Sequence, residues 1–383
     1  MYNHNEEIMK TISCKKDYTL SEKEKTIFSE HLLREGLSNN VWHLFEEWVA
    51  RSTTAVNFFY LKVMSGDDLI GVGLFLKIKP VDLRTSYSRL RRNAVLNRLA
   101  GVFSAVSNNC LYISFRNLIT SNLTRPFFYS DPIMADDIMK AMLTYLKNEK
   151  EADMVTIIDT LDHDARYRAE GFTAYPSSSE AILDIVKYSG RDEYLAAHRN
   201  LKKNLAKKKI TVMAEVCRGP VCDEDRRQMK ACVRNSVEVS NVNNPCQKFF
   251  EEHIFDTEAY RSDDYIHIMV RVEDVIAGFH TFLVSGGSLG GVLGGFNRAF
   301  SHNNFAYERV IIASLEYAAA HNLRRINYSL IDNRTKLRFI DTLVPCALYF
   351  YARKSLNRKI FSLTYRFNDV HGLAELEKNG KNK

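Results

Sequence analysis

The spacing of apolar positions divides the chain into two runs of elements in the same order. In the first, helical periodicity over Ser21 to Glu47 precedes two apolar strands, Ala55 to Met64 and Leu69 to Ile78, joined by Ser65-Gly66-Asp67-Asp68 and followed by Pro80. Tyr87 to Phe103 predicts an amphipathic helix bearing Arg89, Arg91, Arg92 and Arg98. A strand at Cys110 to Phe115 and a helix at Ala135 to Lys147, started by Asp131-Pro132, come next. A buried strand at Met154 to Ile158, a helix at Asp162 to Glu170 stopped by Gly171, and a strand at Ala181 to Val186 close this run.

The second run opens with the strand Tyr265 to Val272, the turn Glu273-Asp274 and the strand Val275 to Val284. A glycine-rich strand at Ser288 to Phe296 follows, then a helix from about Asn304 to Asn322 and a strand at Arg325 to Leu330. A short helix near Thr335 to Ile340 and a strand at Pro345 to Arg353 complete it. The turns echo each other, Asp67-Asp68-Leu69-Ile70-Gly71 against Glu273-Asp274-Val275-Ile276-Ala277-Gly278, which predicts a diverged tandem duplication. Between the runs, Arg191 to Lys209 forms one helical face from Tyr194, His198, Leu201 and Leu205. Arg199, Lys203 and Lys207 recur every fourth residue on another face. A strand at Ile210 to Val216 and helices at Asp223 to Val239 and Pro245 to Tyr260 fill the rest.

At 383 residues the chain fits two domains better than one. A hydrophobic share of 45% and a net charge of only +7 give it real cores and exclude a disordered tail, a collagen-like repeat or a polycation. The seven cysteines are odd in number and form no Cys-x-x-Cys pair, so reduced thiols are expected and no metal site is encoded. The N-terminal residues MYNHNEEIMKTISCKKD carry no apolar run, so no secretory signal is expected and the location read is cytoplasmic. Val275 to Asn297 lacks charge over about the length of a membrane span, but its Ser-Gly-Gly-Ser centre predicts a hairpin instead.

Four passages carry a resemblance. They are RYRAEGFTAYP (Arg166 to Pro176), HRNLKKNLAKKKITV (His198 to Val212), RVEDVIAGFHTFLVSGGSLGGVLGGFN (Arg271 to Asn297) and NNFAYERVIIASLEYAAAHNLRRINYS (Asn303 to Ser329). In this order, across most of Ala55 to Arg353, the chain resembles the GNAT acyltransferase superfamily. Within it, the chain resembles the double-domain branch of Fem-type aminoacyltransferases and related bacterial N-acyltransferase-like proteins. The resemblance implies an α/β (α+β) chain of two tandem GNAT-like domains, each a mixed, mostly antiparallel sheet flanked by helices. Residues 1–187 would be a degenerate, cleft-shaping half, and residues 188–383 the catalytic half with its basic helix. It also implies transfer of an acyl or aminoacyl group to an amine by direct attack, with acyl-CoA or acyl-carrier protein as co-substrate, or aminoacyl-tRNA as donor. A non-catalytic ligand-binding protein that kept the fold is the alternative.

N-acyl transfer must deprotonate an amine, polarise a carbonyl and reprotonate the leaving thiol or hydroxyl. No covalent nucleophile is required, and no Gly-x-Ser-x-Gly is present. Gly290, Gly291, Gly294 and Gly295 in a central strand imply a bulge or a close approach of another backbone or ligand. In the fold resembled the strand splays there, so Gly294 and Gly295 are donor-side candidates; relief of crowding under a helix is the other reading. His280 shares a face with Ile276 and Phe282 by alternation, and is either a core histidine or a general base. His267 shares a face with Tyr265 and Met269 and is likewise a core histidine or a general base, with His267 and Tyr265 as candidate acceptor contacts.

Tyr307, in the first turn of the helix after the Asn pair, is a candidate proton donor to the leaving thiolate or a packed aromatic. The family's pyrophosphate turn is Arg/Gln-x-x-Gly-x-Gly/Ala, and Arg298 to Asn304 has no glycine. Asn303 and Asn304, leading into Phe305, offer helix-start N–H groups in its place. Tyr328 and Ser329 end the following strand, and Asp332, Lys336 and Arg338 come after as acceptor contacts or a solvated helix. Lys203 on the basic helix is a phosphate contact or a solvated face, for CoA, an acidic carrier protein, tRNA or an anionic lipid. Tyr87 to Phe103 is a peripheral membrane element or a packed helix.

Overall fold

The computed structural model describes residues 12–34, 39–79, 110–118, 125–177, 179–188, 190–206, 212–240, 249, 253–257, 259–300, 305–331 and 339–367. The Arg-rich segment 87–103, Lys207, Asn303, Asn304 and residues 332–338 lie outside them.

Two mixed sheets carry the fold. The first contains β1 (Ile12–Asp17), β2 (Val56–Ser65), β3 (Asp68–Ile78), β4 (Leu111–Ser114), β5 (Phe127–Tyr129), β6 (Met154–Thr160), β7 (Thr173–Pro176) and β15 (Cys346–Ala352). Its order is β1-β2-β3-β4-β6-β15-β7, with β5 also pairing β3. The second contains β8 (Ser179–Asp184), β9 (Val212–Arg218), β10 (Tyr265–Val272), β11 (Val275–Ser285), β12 (Ser288–Phe296), β13 (Arg325–Ile331) and β14 (Thr342–Val344). Its order is β14-β8-β13-β12-β11-β10-β9. Strand for strand the two paths match: three antiparallel pairings, one parallel pairing (β4 with β6, β12 with β13), then two antiparallel ones.

The turn echo extends to the register. In the β2–β3 hairpin the pairing slips so that Ile70 is the extra residue, just before Gly71. In β10–β11 the slip leaves Ala277 extra, just before Gly278. Two hairpins with the same bulge at the same distance from the turn are what a duplicated sequence would produce. The uncharged stretch Val275 to Asn297 is a hairpin, β11 paired antiparallel to β12. Among the described residues no helix is long and apolar enough to cross a membrane.

In the placing of two strands the halves differ from the sequence expectation. The strand expected to close the first half, β8, lies in the second sheet between β13 and β14. The strand expected to close the second half, β15, lies in the first sheet between β6 and β7. A cut between residues 187 and 188 therefore separates each of these strands from its sheet. The crossing is local: Ser177 N donates to Cys346 O at 3.1 Å, so both chains change sheet side by side.

Helices cover both faces. The helical material expected over Ser21 to Glu47 forms α1 (Glu22–Arg34) and α2 (Asn40–Ala50). α1 starts in a reciprocal cap, Ser21 N to Glu24 Oε2 at 2.7 Å and Glu24 N to Ser21 Oγ at 3.3 Å. Trp42, Phe45 and Trp48 of α2 join one buried cluster with Phe58 and Phe115 of the first half and Met269, Phe279 and Leu283 of the second. Asn40 donates to Asp264 at 2.5 Å and Arg51 to Asp256 O at 3.0 Å across the same junction. On the outer face of the first sheet lie α3 (Ala135–Asn148) and α4 (Asp164–Ala169). α5 (Arg191–Ala197) and α6 (Arg199–Ala206) split the expected basic helix at His198, and Tyr194 and Leu201 face the core as expected. α7 (Asp223–Ser240) packs the inner face of the second sheet, α8 (Ala306–Ala320) its outer face, and α9 (Ser355–Phe367) lies against β15.

Candidate active site

The one parallel pairing in each sheet ends early. β12 and β13 pair only at Ser288–Arg325, Leu289–Ile326 and Gly290–Asn327. β4 and β6 pair only at Leu111–Met154, Tyr112–Val155 and Ile113–Thr156. Beyond these points the strands part, and the two gaps have different fates. In the first sheet Asn117 bridges the gap: Ile158 N donates to its Oδ1 at 2.7 Å, and its Nδ2 reaches Thr156 O at 3.4 Å. A carboxamide offers one acceptor and two donors, so it takes the place of a strand residue and closes the cleft from within.

In the second sheet both flanking strands bend away. The β11–β12 register steps from Thr281–Leu293 to Phe282–Gly291, leaving Val292 as a bulge residue in β12. The β13–β8 register steps from Asn327–Ile182 to Leu330–Glu180, and Ser329 between them has φ 68°, in the left-handed region. The bulge expected from the glycines is there, and Gly291, Gly294 and Gly295 each have a reason of their own. A Cβ at Gly291 would lie 2.8 Å from His280 Nε2, and one at Gly294 3.1 Å from His280 Nδ1. The imidazole therefore lies directly beneath the bulge. Gly295 faces the other way: its Cβ would meet Val233 N at 2.7 Å in the α7 backbone, so the structure gives it a packing reason.

His280 is 7% exposed, stacks on Phe282 at 4.4 Å and meets the edge of Tyr328 at 6.1 Å. Phe282 shares its face as expected. Ile276 does not: it joins the core between the sheets, because the bulge at Ala277 reverses the alternation. Tyr328 is buried, its hydroxyl 2.7 Å from Ser314 Oγ on α8, and burial pushes its pKa up. Tyr307 is half-buried, with its ring between Phe296 at 5.6 Å and Phe339 at 6.3 Å. Phe305, just ahead of α8, has φ 51°, a left-handed conformation unusual for a bulky side chain.

The other candidates do not gather at this gap. His267 and Tyr265 point into the core between the sheets. His267 Nδ1 lies 2.9 Å from Thr281 Oγ1, and burial lowers its pKa to about 4. Tyr265 is fully buried and stacks on Tyr260 at 4.8 Å. Lys203 is exposed on α6. A groove of about 970 Å³ between α5, α6, α8 and β9, with Arg191, Lys202, Arg309 and Glu316 in its walls, lies toward the β9 edge, three strands from β12.

The structure also gathers polar residues at the sheet junction that the sequence reading passed over. Arg116, after β4, donates to Glu180 of β8 at 2.5 Å, and its Nε is 3.9 Å from Asp159 of β6. Asn327 of β13 donates to the other Glu180 oxygen at 2.8 Å and accepts from Ser329 N at 2.8 Å. Asp159 also takes a hydrogen bond from Tyr167 at 3.1 Å and lies 2.9 Å from His163 Nδ1. Arg116, Asp159, Glu180 and Asn327 are all buried. Burial opposes the Arg116 charge, but Glu180 and then Asp159 outweigh it and raise its pKa. The available signal was a carboxylate beside an apolar run: Asp159 after MVTII, Glu180 before AIL.

No protein-family model matches the sequence, and no curated protein does. Solved structures match along nearly the whole chain. A tandem GNAT protein from the clavulanic acid biosynthesis pathway superposes with TM-score 0.52 at 11% identity, covering 89% of this chain and 97% of that one. FemX gives 0.50 at 12%, covering 92% and 100%. The C-terminal DUF2156 domain of a putative lysylphosphatidylglycerol synthetase from Agrobacterium fabrum gives 0.50 at 10%, covering 90% and 96%. The structural neighbours are GNAT-fold proteins, and the chain has the tandem GNAT fold. At these identities the likeness speaks for the fold.

Proposed function

We propose that the protein is an N-acyltransferase whose activated donor enters the gap between β12 and β13. The observation that carries this is the asymmetry of the two gaps. Asn117 closes one, while bulges at Val292 and Ser329 shape the other above His280. The acyl group comes from CoA, an acyl-carrier protein or an aminoacyl-tRNA and passes to an amine.

In the reaction the amine lone pair attacks the carbonyl carbon, the C–N bond forms, and the C–S or C–O bond to the donor breaks. One amine proton goes to a base, and the leaving thiol or hydroxyl regains one. The bulge turns backbone N–H groups out of the ladder, where they stabilise the oxyanion of the tetrahedral intermediate. His280 beneath Gly291 and Gly294 is the proton acceptor of this reading, with Tyr307 protonating the leaving group. Asn303, Asn304 and Phe305 meet the donor's phosphates, Ser329 lines the acceptor side, and exposed Lys203 offers a contact to an acidic carrier.

Native mass spectrometry of the purified protein with acetyl-CoA, longer acyl-CoAs, acyl-carrier protein and aminoacyl-tRNA tests this, followed by transfer assays with amine acceptors. Binding of one donor with amide formation is the expected result. Binding without transfer would move the protein to the ligand-binding alternative. No binding of any of the donors would refute the reading.

A further inference from the structure

The gap in the second sheet is anchored from the first. Ser329 adopts its left-handed φ of 68° with its N–H held by Asn327 Oδ1 at 2.8 Å. Asn327 is also the last β13 residue paired to β12, so its side chain sits where the two strands begin to part. Its Nδ2 is held by Glu180 at 2.8 Å, and Glu180 is held by Arg116 at 2.5 Å. Arg116 follows the last strand residue before the closed gap of the first sheet, two residues beyond β4. One buried chain of hydrogen bonds thus runs from the disused gap to the open one.

We propose that Arg116 is a positioning residue for the donor gap, acting through Glu180 and Asn327 to hold the bulged course of β13. The inference rests on the donor site proposed above. A carboxamide at residue 327 needs both roles to stay in place: with Glu180 engaging Nδ2, its Oδ1 is turned toward Ser329 N. Glu180 alone is a poor anchor, since an unpaired buried carboxylate carries a large desolvation cost. Arg116 supplies that cation from the other sheet. The exchange of β8 into the second sheet makes this possible, because it brings a carboxylate within reach of both Asn327 and Arg116.

The test is amide hydrogen exchange of the full chain, without ligand, together with acetyl-CoA or other cognate donor binding. Glu180→Gln keeps the side chain's size but removes the charge and turns one of its two accepting oxygens into a donor, which faces Arg116 or Asn327; Arg116→Gln removes the cation. Ile138→Val, in the outer core of the first sheet, is a mildly destabilised control. Exchange over residues 288–296 and 325–331 should quicken by about tenfold in Glu180→Gln and Arg116→Gln, and donor affinity should fall by a similar factor. The control should leave both unchanged. If Arg116→Gln does not fold, Glu180→Gln decides alone. Unchanged exchange over these segments in a folded Glu180→Gln protein overturns the proposal. Quickened exchange in a protein whose wild type binds no donor keeps the anchoring of β13 and removes the acyltransferase reading.

Discussion

Gly294→Val separates a donor site from a packing device. A Cβ at residue 294 would lie 3.1 Å from His280 Nδ1, 3.2 Å from Phe279 O and 3.4 Å from His280 Cγ. These contacts are tight by a few tenths of an ångström, and the imidazole cannot swing freely because it is stacked on Phe282. Overpacking of this kind costs about 1–3 kcal/mol, and the better strand propensity of valine returns up to about 1 kcal/mol. The net loss is therefore roughly 0–3 kcal/mol, a fall in Tm of about 12 °C at most. Gly295→Ala is the comparison. Its Cβ would meet Val233 N at 2.7 Å and Cys232 C at 2.8 Å, and a helix backbone cannot give way as a side chain can. Its melting temperature should fall further than that of Gly294→Val, while donor affinity of the folded protein stays near wild type. Calorimetric melting and donor titration on both variants check this. The reasoning fails if Gly294→Val folds and then binds and transfers the donor like wild type.

Acid should weaken the fold through His267. Its folded pKa of about 4 lies below its ordinary 6.5 because burial disfavours the imidazolium. The unfolded state therefore binds more protons between those values, and the contribution of His267 is complete above about pH 6.5 and lost as pH falls toward 4. The slope is about 1.4 kcal/mol per pH unit and the total roughly 3 kcal/mol; urea midpoints from pH 7 to 4 should show it in wild type and lose it in His267→Gln. Tyr349→Ala tests the strand exchange. Tyr349 of β15 is fully buried and stacked 3.8 Å from Tyr167, so its loss should cost about 3–5 kcal/mol. Hydrogen exchange should quicken first in β6 and β7; quickening confined to the second sheet would contradict the exchanged arrangement.

Much of the architecture was legible because it depends on local pattern. The hairpins, the glycine bulge and the long amphipathic helices follow from periodicity and turn residues, and α7 (Asp223–Ser240) falls within a residue of its expected Asp223 to Val239. Face assignments were less secure. One extra residue in β11 reverses the alternation, so Ile276 and His280 part company although four positions separate them. His267 and Tyr265 are acceptor candidates by pattern alone, but the face of the sheet they occupy is the core between the two sheets. Nothing in a strand's composition names the sheet it joins. β8 (SEAILD) and β15 (CALYFYA) are both buried apolar runs, and either would satisfy either slot by pattern alone.

That ambiguity also hides the charged junction in the sequence. Read in place, Asp159 and Glu180 are carboxylates at the ends of two strands, where solvent would be the ordinary expectation. Once β8 and β15 trade sheets, those strand ends meet in the interior, and Asp159 and Glu180 face Arg116 from two different sheets. A duplication by itself would predict two self-sufficient halves, each with its own gap. The exchange makes each sheet incomplete without the other half of the chain. Asn117 closes the first gap within its own sheet, and the exchange commits the first half's buried arginine, through Glu180, to the strand that borders the second gap. In a tandem fold built this way, the first half contributes a brace to the strand beside the open gap of the second. Substitutions around Arg116 should therefore be felt at β13 before they are felt in β2 or β3.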